Sequence, residues 1–480
     1  MKWLIVAAVI GIVLVAGRRV LRRWANRAAV RAVLRMRSRV DRYKLASKAR
    51  ITAALLDDDE IEAAVRRHAA EHHLPKDKVW QRVETYLDEI IPFFNILAYY
   101  RLGFTLSRWL LNLFYKVVVE HDQPGAERRL PKDAVVIYLI NHRSNADYVL
   151  VGYALSGRVA ISYAVGEWAR AFPLEYIFKS LGSYFVRRRY REPLYHTVLE
   201  RYVQHITRKG VTQGIFPEGG LSRDGRLQAG KIGLLDYMIG VARQPEYRDR
   251  IFLVPVAVNY DRVLEDRSLL RELEARSGLP RPPRLRQMWS ILRFVGWNLF
   301  RLAGRRWKRY GLAAVTIGAP MPLSPWLDAQ GGAALFDLAR PERLAKVQAL
   351  CDDMLSRVGA IIPVTPVPLA CAAIQSFDSD FIPRERLLER MTELRDVLGE
   401  LNARVLRKER SIEDTFERAW RMLKLRRMVA RSGAGYLVLP SGRELVSYYA
   451  NSIAHLLGPF EAGVRARDRL PAGEGLGFRV

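Results

Sequence analysis

The sequence predicts an α/β protein in which helices cover a mixed, largely parallel β-sheet. Two observations predict this fold class: short apolar or β-branched runs recur between residues 135 and 317, and helical patterns separate several of them. Strands that alternate with helices favour a parallel, helix-covered sheet, in which active groups gather where the strands end. We also expect an N-terminal membrane anchor and additional helical regions at both ends of the chain.

The predicted strands are six short runs, which cover residues 135–140, 159–165, 183–186, 211–216, 251–258 and 313–317. Helical patterns at residues 193–207 and 231–242 lie between them. From Arg340 onward the sequence is mostly helical in pattern, with a turn and a short strand expected at residues 433–440.

The length of the chain predicts more than one region. Its 480 residues exceed the roughly 250 to 300 residues at which single hydrophobic cores stop growing. We therefore expect a membrane anchor over residues 1–24, a basic helical region over 25–119, a central α/β domain over 120–325 and a mostly helical C-terminal region over 326–480.

The charge balance restricts the partners. Lysine and arginine total 78 against 50 acidic residues, which gives a formal net charge of +28 in a chain that is 50% hydrophobic. A folded, basic protein is expected to bind negatively charged partners, which are nucleic acid, anionic lipid headgroups, or phosphorylated substrates and acyl carriers. The two cysteines, Cys351 and Cys371, form no metal-ligand or disulfide pattern, and such sparse use suits a reducing compartment.

The amino terminus favours lipid among these partners. Residues 3–17, WLIVAAVIGIVLVAG, carry no charge, and a helix of that length spans about 22 Å against a hydrocarbon core of about 30 Å. Arg18 and Arg19 follow directly, and their long side chains can reach the headgroups. Such flanks favour a retained anchor over a cleaved secretory signal, the alternative interpretation. We predict attachment to the cell membrane, with the rest of the chain on the cytoplasmic face.

Two further segments have an amphipathic, aromatic character. Residues 288–310 mix tryptophans with arginines at roughly helical spacing, and residues 92–119 are apolar with isolated arginines. Each segment is either an interfacial helix or a helix buried against the central domain.

The stretch NHRSNAD follows the first predicted strand and places Asp147 five positions after His142. If the loop turns into a helix near Ser144 or Asn145, the Asp147 carboxylate can reach one imidazole nitrogen and leave the other as a base. The spacing alone is a weak signal, because a histidine after a strand is more often a packed or surface residue.

Three more motifs follow predicted strands. GSYFVRR ends in Arg187 and Arg188, whose planar guanidinium groups suit bidentate binding of phosphate. GIFPEGGLSRDGR places Glu218 beside Gly219, where backbone N–H groups can approach an anion, with Arg223 close behind. FLVPVAVNYD closes the set. Individually each motif has a structural alternative, since arginine pairs are usually solvated and P-E-G-G is usually a turn.

As an ordered set, NHRSNAD, GSYFVRR, FPEGGLSR and LVPVAVNY resemble the four motifs of the glycerolipid acyltransferases, and IGAPMPL is similar to the closing strand of that family. The resemblance covers roughly residues 130–323. HRSNADYVL, EGGLSRDGRLQAGKIGLL and ELVSYYANSIAHLL look most like the glycerol-3-phosphate acyltransferase branch. Asn141 and Pro217 are more similar to the lysophosphatidate acyltransferases, and Leu221 lies where the glycerol-3-phosphate branch usually carries an arginine, so the acceptor stays open.

The resemblance implies the glycerolipid acyltransferase fold and an acyltransferase role for the central domain. An acceptor hydroxyl would attack a fatty-acyl thioester carried by coenzyme A or acyl carrier protein, with His142 as general base and Asp147 fixing its tautomer. The implied substrate-binding residues are Arg187, Arg188 and Arg223 for the acceptor phosphate, Glu218 and Gly219 for orienting the acceptor or thioester, and Lys231 for additional charge. No metal or other cofactor is expected.

The expected reaction acylates the sn-1 hydroxyl of glycerol 3-phosphate and gives lysophosphatidate for phospholipid synthesis. The alternatives are a lysophosphatidate acyltransferase and a dihydroxyacetone-phosphate acyltransferase. A serine hydrolase is disfavoured because no G-x-S-x-G motif is found and Ser222 does not fit one. A nucleic-acid binder is disfavoured because no nucleic-acid-binding signature is found. A silent relative that only binds lipid is disfavoured by the intact His142 and Asp147. The expected partners are membrane lipids, the acyl donor and a phosphorylated glycerol, without nucleic acid.

Overall fold

The structure is a computed structural model that describes residues 48–93, 104–155, 161–166, 174–180, 182–187, 190–276, 309–406 and 410–458. A mixed sheet of eight strands lies between two layers of helices, and a second sheet of three strands lies in the C-terminal region. The predicted α/β class with a largely parallel, helix-covered sheet is confirmed.

The α-helices of the described residues are α1 (Lys48–Leu56), α2 (Asp59–Glu71), α3 (Lys76–Ile90), α4 (Phe104–Phe114), α5 (Asp147–Ala154), α6 (Leu174–Ser180), α7 (Pro193–Arg208), α8 (Gly233–Ile239), α9 (Pro245–Arg248), α10 (Asp266–Arg276), α11 (Ser324–Ala329), α12 (Arg340–Ala360), α13 (Pro366–Gln375), α14 (Arg384–Glu400), α15 (Ile412–Leu425) and α16 (Arg443–Asn451). Local signals account for several of their starts. The Asp58 carboxylate accepts from backbone N–H groups in the first turn of α2, the Ser411 hydroxyl does so for α15, and proline opens α7.

The strands of the described residues are β1 (Lys116–His121), β2 (Val135–Ile140), β3 (Ser162–Gly166), β4 (Tyr184–Val186), β5 (Gln213–Ile215), β6 (Ile251–Tyr260), β7 (Leu312–Ile317), β8 (Met321–Pro322), β9 (Phe381–Pro383), β10 (Val429–Ser432) and β11 (Gly435–Val438). The order in the large sheet is β1-β7-β6-β2-β5-β3-β4, with β8 paired to β6. Strands β2 to β6 run parallel to one another, whereas β7 is antiparallel to β6 and β1 is parallel to β7. The loops after β2, β4, β5 and β6 therefore leave the same edge of the sheet.

Strand β2 shows why both faces of the sheet are covered. All six of its residues are buried, and successive side chains of a strand point to opposite faces. Tyr138 and Ile140 pack into a hydrophobic cluster with residues of α13 to α16, whereas Ile137 and Leu139 pack into a cluster with residues of α1 to α3, α7, α8 and α12. The core thus runs across residue 325, where the sequence places a domain limit, and the division into domains stays a prediction.

The structure corrects one predicted helical segment. Within residues 92–119, α4 ends at Phe114, and Lys116–His121 forms strand β1 at the edge of the sheet. Three consecutive valines account for the difference, because β-branched residues fit a pleated sheet better than a helix. The predicted limit between residues 119 and 120 consequently falls inside β1.

Most of the predicted membrane-binding segments lie outside the residues that the structure describes. The anchor over residues 1–24 and the segment 288–308 lie outside the described residues, as does the strongly basic stretch that follows the anchor. Among the helices that the structure does describe, none is both long enough and apolar enough to cross a bilayer.

The C-terminal region packs directly on the loop that carries the third motif. Gly225 in this loop has a φ of +88°, and a Cβ atom at this position would lie 1.9 Å from the backbone oxygen of Tyr448 in α16. The Asn451 side chain also donates to the backbone oxygen of Asp224 at 2.8 Å. Helix α16 therefore shapes the loop after β5, and only glycine allows the approach.

We expect Gly225→Ala to lower the melting temperature more than the matched change Gly210→Ala. Both glycines have positive φ, so each substitution carries strain of about 1 to 2 kcal/mol. A Cβ at Gly210 meets no atom within 4 Å, whereas one at Gly225 overlaps α16, which adds roughly 1 to 3 kcal/mol. Thermal unfolding of the two variants measures the difference, and equal losses would refute the contact.

Candidate active site

The candidate active site lies where β2, β5 and β6 end. Asn141 follows β2 directly and extends its pairing with β6 through its side chain. Its amide nitrogen donates to the backbone oxygen of Val258 at 3.0 Å, and its amide oxygen accepts from the Val258 N–H at 2.7 Å. The loop that begins with His142 is therefore anchored at its first residue.

The structure brings together the two residues of the H-x4-D motif. Asp147 is the first residue of α5, and its Oδ2 atom lies 2.9 Å from Nδ1 of His142. The same oxygen accepts from the backbone N–H groups of Arg143 at 2.7 Å and Ser144 at 2.9 Å. Both side chains are buried, with 1% of His142 and none of Asp147 exposed. Because a carboxylate accepts, His142 Nδ1 is the donor in this pair and Nε2 carries the basic lone pair.

Aromatic residues fix the plane of the His142 ring. The ring stacks on Phe216, with 4.1 Å between ring centroids, and meets the Tyr148 ring edge to face at 5.5 Å. Phe216 follows β5 and Tyr148 lies in α5, so two elements hold the imidazole in addition to its own loop. Since Nδ1 faces Asp147, Nε2 points to the opposite side of the ring.

Glu218 connects the first and third motifs. Its Oε1 accepts from the His142 backbone N–H at 2.6 Å, and its Oε2 accepts from the Gln228 backbone N–H at 2.9 Å. Burial raises the pKa of this carboxyl from 4.5 to about 7, against the lowering effect of those two hydrogen bonds. Both oxygens bind backbone in this structure, so Glu218 links the two loops, and its role in orienting a substrate stays a prediction.

Gly219 and Lys231 lie against each other, as their joint assignment to one site requires. A Cβ atom at Gly219, whose φ is +68°, would lie 2.7 Å from Cδ of Lys231. The Lys231 backbone N–H also donates to the backbone oxygen of Pro217 at 2.7 Å. The lysine side chain thus crosses the turn that carries Glu218.

Arg187 is held by a residue from the N-terminal helices. Its Nε donates to Oε1 of Glu89 in α3 at 2.9 Å, and its Nη2 donates to Oε2 at 2.5 Å. The guanidinium lies 4.8 Å from the ring centroid of Tyr190 and 5.5 Å from that of Tyr86. The acidic partner raises the pKa of Arg187. One edge of the guanidinium is occupied by Glu89, and the opposite edge is the one that could bind a phosphate.

Of the other two predicted arginines, the structure describes only Arg223. Arg223 forms a partly exposed ion pair with Glu272 of α10, with Nε 3.2 Å from Oε2. Arg188 lies outside the described residues. A joint phosphate site of Arg187, Arg188 and Arg223 therefore stays a prediction.

Three residues of the site were missed from the sequence. Tyr260, the last residue of β6, donates its hydroxyl to Oδ1 of Asp147 at 2.6 Å. Glu265 accepts from the Ser144 hydroxyl at 2.7 Å and from the Asn145 N–H at 3.2 Å. Tyr260 lies within the strand-ending NYD, and Glu265 lies in the polar stretch that follows it.

The third missed residue is Arg143, beside the histidine itself. Its buried guanidinium donates from Nη1 to the backbone oxygen of Gly225 and lies 5.2 Å from the ring centroid of Tyr448. Its Nε and Nη2 atoms have no hydrogen-bond partner among the described residues. Within that part of the chain, no group of three or more histidine, cysteine, aspartate or glutamate residues could hold a metal ion.

Two protein-family models match parts of the chain, and one of these parts contains the site. Residues 125–259 match the family model described as acyltransferase. This range contains His142, Asp147 and Glu218 and all of β6 except its last residue. Residues 296–459 match the model described as glycerol-3-phosphate acyltransferase C-terminal region. The site thus lies in a region that matches an acyltransferase domain. The predicted resemblance to glycerolipid acyltransferases is thereby confirmed.

Curated relatives extend the similarity over most of the chain. A glycerol-3-phosphate acyltransferase of Aeromonas hydrophila is 26% identical over 424 residues, which are 86% of this chain and 50% of the relative. One of Baumannia cicadellinicola is 26% identical over 420 residues, which are 84% of this chain and 49% of the relative. The chain spans about half the length of these relatives.

Among solved structures, the crystal structure of the 1-acyl-sn-glycerophosphate acyltransferase from Thermotoga maritima is similar to 55% of this chain and 80% of its own. The sequence identity is 18% and the TM-score is 0.31, and at these values the likeness carries no argument.

The raised pKa of Glu218 predicts a pH-dependent contribution to stability. Between its unfolded value of 4.5 and its folded value of about 7, the folded protein keeps a proton that the unfolded chain has lost. The contribution of Glu218 is therefore greatest below 4.5 and is lost as the pH rises to about 7, by roughly 3 kcal/mol.

The measurement is the difference in melting temperature between the natural protein and Glu218→Gln, taken at pH 5 and at pH 7.5. Glutamine does not titrate, so the changes common to both proteins cancel. We expect the melting temperature of the natural protein to fall relative to that of the variant between pH 5 and pH 7.5. A difference that stays constant or moves the other way would contradict a buried carboxyl with a raised pKa.

Proposed function

We propose that this protein transfers a fatty-acyl group from a thioester donor to the sn-1 hydroxyl of glycerol 3-phosphate and releases lysophosphatidate for phospholipid synthesis. The observation that carries the proposal is the buried His142–Asp147 pair within a matched acyltransferase region that is followed by a matched glycerol-3-phosphate acyltransferase C-terminal region. The names of the two curated relatives support the choice of acceptor.

The chemistry follows from the arrangement of His142. An alcohol is a weak nucleophile at neutral pH, so Nε2 takes its proton as the hydroxyl oxygen attacks the thioester carbonyl carbon. The resulting tetrahedral adduct expels the thiolate, which recovers the proton from the imidazolium. Asp147 stabilises that imidazolium through Nδ1. General-base assistance of this kind is worth about 10²- to 10⁴-fold in rate.

We propose that the acceptor phosphate binds to basic groups near Arg187 and near the turn that carries Glu218. Arg187 offers the edge of its guanidinium that Glu89 does not occupy, and Lys231 adds positive charge beside Gly219. Arg188 and Arg223 are proposed to complete the site when the acceptor binds. Holding the acceptor there makes the two-substrate step effectively intramolecular.

The other components of the reaction are likewise proposed. Acyl-CoA or acyl carrier protein supplies the thioester, and the transfer needs no cofactor or metal ion because the thioester is already activated. We place the protein on the cell membrane with its catalytic domain on the cytoplasmic face. The uncharged run over residues 3–17, the arginines behind it and the lipid product support this location.

Lysophosphatidate remains the competing acceptor. Asn141 was one of two residues that favoured it, but Asn141 is buried and bonded to the backbone of β6. Its identity therefore bears on how the loop is anchored more than on which acceptor is bound. Pro217 and the absence of an arginine at Leu221 are the remaining departures from the glycerol-3-phosphate branch.

The deciding experiment offers labelled glycerol 3-phosphate, dihydroxyacetone phosphate and lysophosphatidate at equal concentration to the membrane-bound protein with one acyl thioester. We expect glycerol 3-phosphate to be acylated fastest. Because this small acceptor has no acyl chain to add apolar binding, loss of Arg187 should raise its KM by about 10- to 150-fold and barely change the donor KM. The control is Arg243→Ala, which removes an exposed arginine paired with Asp337. Faster acylation of lysophosphatidate would replace the proposal.

A further inference from the structure

Asp147 uses its two carboxylate oxygens for different purposes. Oδ2 accepts from His142 Nδ1 and from two backbone N–H groups, whereas Oδ1 accepts from the Tyr260 hydroxyl at 2.6 Å. Tyr260 lies 113 positions from Asp147 at the end of β6, so the tertiary fold and not the motif loop supplies this donor. Both side chains are completely buried.

We propose that Tyr260 is a positioning residue that sets the basicity of His142 by sharing the negative charge of Asp147. The inference rests on the proposed function, in which His142 is the general base. A hydroxyl that donates to Oδ1 stabilises the carboxylate independently of the imidazolium, so less of the carboxylate charge is available to hold a proton on His142. Tyr260 therefore keeps His142 in the unprotonated, reactive form at lower pH.

Burial makes this effect large enough to measure. A hydrogen bond between buried groups is electrostatically stronger than one in water, because the surroundings have a low effective dielectric constant. Burial and the neighbouring Asp147 carboxylate raise the pKa of Tyr260 well above its ordinary value of 10.0. Tyr260 thus remains a hydroxyl donor throughout the working pH range and does not titrate with His142.

Other ionisable groups surround the pair and have to be held constant in any test. From the elements packed around Asp147 and His142 these are Arg143 of the same loop, Tyr148 of α5, Glu218 after β5, Glu265 after β6 and Tyr448 of α16. Glu218 has a pKa of about 7 and titrates in the same interval as a histidine. Only a comparison between variants that leave all five unchanged isolates Tyr260.

Tyr115 provides a matched control in the same aromatic cluster. Its ring centroid lies 5.5 Å from that of Tyr260, it is 1% exposed, and its hydroxyl donates to the backbone oxygen of Arg262 at 2.7 Å. Tyr115→Phe removes one buried hydroxyl bond, as Tyr260→Phe does, but the lost bond does not reach Asp147. A purely structural role would make the two variants alike.

The experiment measures kcat and KM against pH for the natural protein, Tyr260→Phe and Tyr115→Phe, with melting temperatures alongside. We expect Tyr260→Phe to move the acid limb of kcat/KM upward on the order of one pH unit, and hence to lower kcat/KM about 10-fold at a pH below that limb, since a hydrogen bond to a charged group is comparable to one unit of pKa. The KM for the acceptor should not change. Tyr115→Phe should leave the acid limb where it is, at a similar loss of melting temperature. Superimposable profiles for Tyr260→Phe and Tyr115→Phe would overturn the inference.

A second readout separates this inference from the proposed function. Titration of the His142 imidazole by NMR, with its signal identified by its loss in His142→Ala, needs no acceptor. We expect the pKa of His142 to rise in Tyr260→Phe and to fall when Tyr260 is replaced by 3-fluorotyrosine, a stronger donor that keeps the ring. A protein that transfers no acyl group but shows these shifts would refute the function and support the coupling. An unshifted His142 in both variants would refute the coupling, and the fluorinated protein keeps the test decisive if Tyr260→Phe does not fold.

Discussion

The buried carboxylate of Asp147 is the interaction on which the site depends. A carboxylate without exposure to water is costly unless donors satisfy it, and Asp147 has four, from His142, the two following backbone N–H groups and Tyr260. Three of these donors belong to the loop after β2, so the loop closes around one oxygen. The fourth comes from β6 and fixes the loop to the sheet. The need to neutralise the buried charge of Asp147 therefore fixes the position of His142.

The remaining contacts hold that loop from several directions. Glu218 ties it to the loop after β5, Glu265 ties it to the loop after β6, and Arg143 reaches the turn at Gly225. The same turn packs against α16 of the C-terminal region. On the other side of the sheet, Glu89 of α3 holds Arg187. Helices from both ends of the described chain thus contact the groups that would bind and activate the substrates. The hydrophobic core likewise includes residues from these helices.

The sequence predicts strands and contacts between residues that lie close together in the chain. It does not predict contacts between residues that are far apart in the chain. The periodic apolar runs identify the strands, and the H-x4-D spacing predicts the His142–Asp147 contact because a short loop into a helix brings these residues together. No local pattern connects Tyr260 with Asp147, or Glu89 with Arg187, which lie 98 positions apart. Glu218 shows a different limit: its motif marks an important carboxylate, but only the fold reveals that both oxygens bind backbone. Strand β1 was mistaken for helix because the apolar run before it masks the change of period.

The central claim is that the charge of Asp147 acts through His142, and Asp147→Asn tests it most directly. An asparagine can place its amide oxygen where Oδ2 lies, accept from all three donors of the loop and so preserve the histidine tautomer, while its amide group meets the Tyr260 oxygen. The negative charge is then lost, and the contact with Tyr260 is reversed, with the asparagine amide as the donor. The account predicts a folded protein with a melting temperature close to that of the natural chain and acyl transfer reduced by about 10²- to 10⁴-fold. Near-normal transfer by the folded variant would contradict it.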